Sequence, residues 1–549
     1  MNQEASQSLS ALYKTSFSQN WELPMFSDYG GSDYSYAEAA QQINRLQHFM
    51  NESGLKKGDK VSLLGRNSSL WGISFLAVMS YGAVAVPVLP DFNPSDIHHI
   101  INHSESKLLL AADPLFEKLK VDEMPKIQAV VSLVNFELLF EKSEIVRAAW
   151  GKSLKADVLN QITAQELQFQ AGKPDGVCVI SYTSGTSGFT KGVMIPNRSL
   201  LSNLIYARDH MPLKSGEKIV SFLPMAHVFG LLFEFLFPST LGCHITFLTK
   251  APTPQVIIKA FKEIQPHLIL SVPLVIEKIY KKQILPTLEK PVMKILLRMP
   301  GISSIIHKKI KEKLVETFGG RFYEIVIGGA ALSGDVETFF RKIGFPFTVG
   351  YGMTECGPLI SYDDWNTTHH SSAGRLVDRM EVRIDSSDPF RVAGEILVKG
   401  DNVMLGYYKN DEATKQVLNN EGWLNTGDLG TIDSQNYIYI KGRSKNMLLG
   451  PSGQNIYPEE IEAKLVNLHG IQEAVVVNRD GKLVALVFPD PDVCEAEHLD
   501  KRALTRLMER NGHHINHELP KYSQISKVEL VEEEFEKTPK RNIKRFLYT

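Results

Sequence analysis

Short apolar runs recur along the first four-fifths of the chain, and between several of them apolar residues fall at helical spacing. Residues 61–64, 83–88, 107–111, 177–182, 219–223, 244–248, 268–272, 324–327 and 347–349 read as strands. Helices are expected over 200–207 with Asn197 as its cap, over 273–280 starting at Pro273, and up to 342 with Ser333 as its cap. From Ser69 to Leu89 no residue is charged, a length nominally sufficient to span a bilayer. Ser69, Ser74, Ser80 and Tyr81 dilute that stretch, and Gly82 and Pro87 punctuate it. It reads as a buried helix over 70–81 followed by a core strand. The alternation predicts an α/β fold with stacked, mainly parallel sheets and helices. After about Gly442 the pattern changes to a helix over 458–468, strands over 474–477 and 483–488, and a helix over 499–517. The expected division is therefore a large unit, 1–441, and a small, mobile α+β unit, 442–549.

Composition narrows the function. With 549 residues and 43% hydrophobic positions the chain can bury more than one core. A net charge of −2 gives no global electrostatic case for nucleic acid. Cys178, Cys243, Cys356 and Cys494 lie far apart, which predicts neither a disulfide framework nor a zinc site. The first ten residues lack a basic region leading into an apolar one, so secretion is not expected.

Several segments combine glycine, hydroxyl and charged residues just after an apolar run. The loop Ser181-Tyr182-Thr183-Ser184-Gly185-Thr186-Ser187-Gly188-Phe189-Thr190-Lys191-Gly192 offers hydroxyl and backbone donors and a lysine to a polyphosphate. It is not the Walker spacing, and alone it also reads as a flexible turn. In Val349-Gly350-Tyr351-Gly352-Met353-Thr354-Glu355, Tyr351 can stack on a base and Glu355 can hold Mg²⁺. Taken singly, that segment reads first as a strand-to-helix turn with a solvated glutamate. Gly328-Gly329-Ala330-Ala331 lets a flat ring approach the backbone, or simply packs a helix on a strand. His227 lies in Leu223-Pro224-Met225-Ala226-His227-Val228-Phe229, where a core histidine is the commoner outcome. Asp428, in Trp423-Leu424-Asn425-Thr426-Gly427-Asp428, can accept ribose hydroxyls or cap a turn. Ile440-Lys441-Gly442-Arg443-Ser444-Lys445 precedes Tyr457-Pro458-Glu459-Glu460, good helix-start chemistry in its own right.

In this order the segments resemble the AMP-forming (adenylate-forming) family of acyl-CoA synthetases, luciferases and peptide-synthetase adenylation domains. The resemblance covers almost the whole chain, most weakly before about Tyr36 and over 277–314. It implies ATP-dependent formation of an acyl-adenylate, then transfer to a thiol such as CoA. By similarity, Thr183, Ser184, Gly185, Thr186 and Lys191 would hold the outer phosphates. Gly329, Ala330, Tyr351 and Gly352 would line the adenine site, Thr354 would reach the α-phosphate, and Glu355 would bind Mg²⁺. Asp428 and Arg443 would hold the ribose, His227 would stand between the nucleotide and acyl pockets, and Lys445 would be the hinge of the mobile unit.

One departure stands out. The family's terminal T-P-x-x-K reads here as Thr538-Pro539-Lys540-Arg541-Asn542, followed by Ile543 and Lys544, so Asn542 occupies the lysine position. Lys540 and Lys544 are the candidates to substitute for it. The phrases Phe535-Glu536-Lys537-Thr538-Pro539 and Gln454-Asn455-Ile456-Tyr457-Pro458 resemble the long-chain fatty acyl–CoA ligase branch, while medium-chain and aryl acids remain compatible. An acyl-carrier-protein acceptor and a catalytically weak acyl- or nucleotide-binding relative are the alternatives. The basic-apolar stretch 278–313 is either a peripheral contact with anionic lipid or a solvated helix pair with snorkelling lysines. A cytoplasmic location, in the first case on the inner face of a membrane, is expected. No sequence feature identifies an oligomeric state.

Overall fold

The computed structural model of the chain describes residues 8–155, 162–170, 172–184, 190–250, 253–288, 290–449, 455–479, 481–538 and 543–548. Its largest sheet runs in the order Gly406–Tyr407, Thr190–Pro196, Val177–Ser184, Val84–Val88, Lys60–Leu64, Leu108–Ala111, Ala129–Ser132, Leu138–Glu141. The five central strands are parallel and the outer pairings antiparallel. Strands covered on both faces carry unbroken apolar runs, which is why periodicity finds them. In a second sheet, Lys218–Ser221, His244–Phe247 and Pro24–Asp28 are parallel and Asp33–Ser35 closes the edge. A third, Leu268–Ser271, Glu324–Ile327 and Phe347–Val349, is parallel throughout.

The uncharged stretch folds as the helix Ser69–Tyr81, capped by Ser68 and ended by Gly82 in the left-handed conformation. Every residue from Ser69 to Ser80 is buried, so the missing charge reflects a core helix. No helix among the described residues is long and apolar enough to cross a membrane.

Beyond Gly350, where the sequence marks no strand in the large unit, the pairing turns antiparallel. Met380–Asp385, Gly394–Gly400, Leu424–Ile432 and Ile438–Arg443 form an antiparallel sheet. Gly394–Gly400 and the first half of Leu424–Ile432 alternate buried with half-buried residues, so no unbroken apolar run marks them. Two predicted caps fail. Asn197 lies inside the helix Asn197–His210, where its amide donates to the carbonyls of Lys173 and Gly176. Ser333 precedes the helix Gly334–Lys342 without capping it, because its hydroxyl donates to Asn467 Oδ1 at 2.8 Å.

That last bond ties the small unit to the large one. The small unit holds the helices Pro458–Leu465 and Lys501–Glu518 against the strands Ile471–Arg479, Lys482–Pro489 and Ile525–Leu530. Ile461, Leu465, Val476, Ala485 and Ile515 lie in its own core. Lys281 Nζ donates to the carbonyl of Val466, at the end of the first of these helices, where a cation also favours the helix dipole.

Candidate active site

The parallel strand Phe347–Val349 runs into the short strand Tyr351–Gly352 and the 3₁₀ turn Thr354–Cys356. Gly352 is required by packing, since a Cβ there would stand 2.3 Å from the carbonyl oxygen of Pro358. Tyr351 donates its hydroxyl to Asp428 Oδ2 at 2.7 Å. Arg443 Nε lies 2.9 Å from Asp428 Oδ1. The ion pair follows from register, because Asp428 and Arg443 face each other across the antiparallel strands Leu424–Ile432 and Ile438–Arg443. Asp428 is only 4% exposed. Burial pushes its carboxyl pKa up, opposed by the Arg443 guanidinium and the Tyr351 hydrogen bond, with the charge of Glu355 raising it further. That link places Glu355 within electrostatic reach of the pair.

Glu355 turns the other way. Its Oε1 accepts the hydroxyl of Tyr407 at 2.9 Å. Tyr407 lies opposite Val193 on the edge of the large sheet, and Lys191 Nζ sits 4.8 Å from the centre of its ring. Lys191 and Thr183 are partners in the hairpin Val177–Ser184/Thr190–Pro196, whose backbone includes Ser184. Gly185 and Thr186 lie outside the described residues. One tyrosine therefore joins the lysine of the phosphate-type loop to the candidate metal carboxylate. Sequence reasoning missed Tyr407 because a tyrosine after a glycine looks like any core aromatic. Among the described residues no three His, Cys, Asp or Glu side chains gather to hold a metal by themselves. A Mg²⁺ that takes one carboxylate and completes its shell with phosphate and water needs only Glu355, so the donor set fits.

The turn carrying His227 meets the glycine turn through Phe229. A Cβ on Gly328 would be 3.1 Å from the Phe229 ring, while Gly329 has a φ of +86°. Ala330 follows, exposed. His227 precedes the helical turn Val228–Gly230 and accepts the N–H of Leu231 at 2.8 Å through its carbonyl. Two side chains not singled out from sequence hold this turn. Asn67 donates to the Leu223 carbonyl at 2.7 Å and accepts the Met225 N–H at 2.9 Å. Glu234 Oε2 accepts the N–H groups of Phe222 and Leu223, each at 2.9 Å. A signal for Glu234 does exist: it is the sole Asp, Glu, Lys or Arg from 219 to 249. Burial raises its pKa well above the carboxylate range.

Lys445 is exposed in the 3₁₀ turn Ser444–Asn446. Its neighbours are tied to opposite units. Ser444 donates to Glu395 Oε1 at 2.6 Å, and Asn446 donates to Glu459 Oε1 at 2.5 Å. Lys544 lies on the small unit, 3.1 Å from Glu536 Oε2. Lys540 and Asn542 fall outside the described residues. The structure thus gathers Thr183, Lys191, Tyr351, Glu355, Asp428 and Arg443 around one segment, while Lys544 is paired within the small unit.

The family described as AMP-binding enzyme matches residues 15–408, and the AMP-binding enzyme C-terminal domain matches 446–548. A long-chain-fatty-acid–[acyl-carrier-protein] ligase of Arabidopsis thaliana chloroplasts is 27% identical over 85% of this chain and 73% of its own. A long-chain-fatty-acid–CoA ligase of Escherichia coli O157:H7 is 26% identical over 90% of this chain and 88% of its own. The crystal structure of the anthranilate CoA ligase AuaEII with anthranoyl-AMP superposes with a TM-score of 0.78 at 18% identity, covering 98% of this chain and 96% of that one. ATP-bound MatB from Rhodopseudomonas palustris gives 0.76 at 21% identity, with 98% of each chain covered. The fold is that of the adenylate-forming enzymes, and the chain belongs to the AMP-binding enzyme family.

Proposed function

We propose that the protein activates a fatty acid, long-chain in this reading, with ATP and transfers the acyl group to CoA. The observation that carries this is the convergence on residues 351–355, with Tyr351 and Arg443 on Asp428 and Glu355 and Lys191 on Tyr407. The substrate carboxylate oxygen attacks the α-phosphorus, and the bond from that phosphorus to pyrophosphate breaks. The carboxylate is already ionised at neutral pH, so positioning and charge neutralisation supply most of the catalysis. Asp428 and Arg443 hold the ribose, Thr354 reaches the α-phosphate, and Gly329, Ala330 and Tyr351 bound the adenine. Lys191, with Thr183, Ser184, Gly185 and Thr186, takes the leaving pyrophosphate. Glu355 would hold Mg²⁺ jointly with phosphate oxygens, and bound there the ion would neutralise charge on the departing group. In the second half-reaction the thiol sulfur attacks the acyl carbonyl, loses its proton, and AMP leaves.

Residues 1–441 form the adenylating unit in this reading and 442–549 the unit that rotates between the half-reactions. The tethers of Ser444 and Asn446 to opposite units support Lys445 as the pivot. The named long-chain ligases among the relatives support the chain length, and one of them favours a second reading, an acyl-carrier-protein acceptor. AMP release from ATP and palmitate, with CoA, with acyl carrier protein and with neither, tests both. Turnover dependent on CoA is expected. Turnover only with the carrier protein supports the second reading, and nucleotide binding without turnover removes both.

A further inference from the structure

Residues 290–313 form the helix Pro291–Leu296, a turn, and most of the helix Ile302–Thr317, and not one of these 24 residues is buried. Ten of them are Val, Met, Ile or Leu. Val292 is 67% exposed, Ile295 62%, Ile305 59% and Met299 45%. Of the ten, Ile310 alone is packed against the core. The charge is equally one-sided. From Lys290 to Lys311 there are six cations, Lys290, Lys294, Arg298, Lys308, Lys309 and Lys311, and no Asp or Glu, on a chain of net charge −2; the segment's last two residues add Glu312, 4.0 Å from Lys308, and Lys313.

A helix pair made only for water has no use for exposed aliphatic side chains. Snorkelling explains lysine stems lying over apolar surface, but these aliphatic groups are themselves in solvent. A second copy docked here about a two-fold axis would set six cations against six. Nucleic acid would satisfy the charges and leave the aliphatics wet. An anionic bilayer satisfies both, with side chains at the acyl boundary and cations at the headgroup phosphates.

We propose that residues 290–313 dock the protein on an anionic membrane surface, with Val292, Ile295, Met299 and Ile305 entering the interface. The purpose of such docking, supply of a substrate that resides in the bilayer, rests on the fatty-acid reading; the docking does not.

Co-sedimentation with phosphatidylcholine vesicles, with and without phosphatidylglycerol, tests it. Partition onto the anionic vesicles is expected, weakening as salt rises. The triple variant K290Q/K294Q/R298Q should lose roughly fivefold per removed charge, about a hundredfold together. The pair V292S/I295S should also partition less, with the salt dependence retained. Equal partition onto both vesicle types, or unchanged partition in both variants, overturns the proposal. So does self-association that V292S/I295S abolishes without any vesicle binding. Pyrophosphate exchange with palmitate delivered as a soluble albumin complex, without vesicles, run on the same proteins, should be unaltered by either variant. Its absence in the wild type would defeat the activity reading and leave the partition result standing.

Discussion

Glu234 offers the sharpest test of how the histidine turn is held. It is fully buried, and one carboxyl oxygen accepts two backbone N–H groups, those of Phe222 and Leu223. Glu234→Ala strips both donors of their acceptor, and a buried unsatisfied donor costs ~1–3 kcal/mol. Removing the carboxyl also relieves its own desolvation, so the net expected loss is ~2–4 kcal/mol. Glu234→Gln keeps a carbonyl oxygen for both donors and removes only the titration. Burial holds the carboxyl pKa above its ordinary value of 4.5. With the folded value above the unfolded one, the stabilisation is complete below about 4.5 and is lost as pH rises toward the folded value. Each pH unit in that window costs the wild type ~1.4 kcal/mol and costs the amide nothing. Thermal midpoints of the three proteins, compared as differences because two units need not unfold together, supply the readout. Glu234→Gln should gain on the wild type as pH rises above about 4.5, while Glu234→Ala should melt earlier than the wild type at the acid end of that range. A constant gap between amide and wild type, or an alanine variant as stable as the parent, would refute the reasoning.

Other outcomes follow from the site. Tyr407→Phe keeps the ring beside Lys191 but frees Glu355, and should raise the Mg²⁺ needed for half-maximal pyrophosphate exchange roughly tenfold; an unchanged Mg²⁺ dependence counts against the shared tyrosine. Lys445→Pro should spare pyrophosphate exchange and block thioester formation, and equal loss of both half-reactions removes Lys445 as pivot. Lys281→Met releases the Val466 carbonyl and should speed proteolysis at Ser444–Asn446, so an unchanged cleavage rate denies that contact a role in docking the small unit. One of Lys540→Ala and Lys544→Ala should slow adenylation, whichever lysine substitutes for the one displaced by Asn542; unchanged exchange in both excludes the substitution.

Legibility tracked periodicity. The parallel strands and the helix Ser69–Tyr81 are buried on both sides, and burial on both sides leaves an unbroken apolar signature. Asp428 and Arg443 were visible as residues, but their pairing depends on the register of two antiparallel strands that carry no such signature. Tyr407 was lost for the opposite reason: its chemistry comes entirely from partners about 50 and 215 residues away in the chain, a separation no local pattern encodes. Ser333 shows a third kind of failure. Its position suits a cap, but the arrival of Asn467 redirects the hydroxyl, and tertiary contact overrides the local preference.

The strand Pro24–Asp28 has a consequence for how the protein is made. One edge pairs Phe26 with nearby Tyr34, but the other pairs it with Ile245 and has no partner strand until about 220 further residues have been synthesised. At roughly 5–20 residues per second, that is a wait of about 10–45 s. Throughout it Phe26, fully enclosed by Phe235 and Phe247 in the finished protein, stands without its cover. A holdase, or the early neighbours Asp33–Ser35, Tyr36–Glu52 and Ser69–Tyr81, would have to cover that side of the strand during the interval. Slowing translation between the two strands should therefore lower the soluble yield, and holding the ribosome's pace while supplying a holdase should restore it.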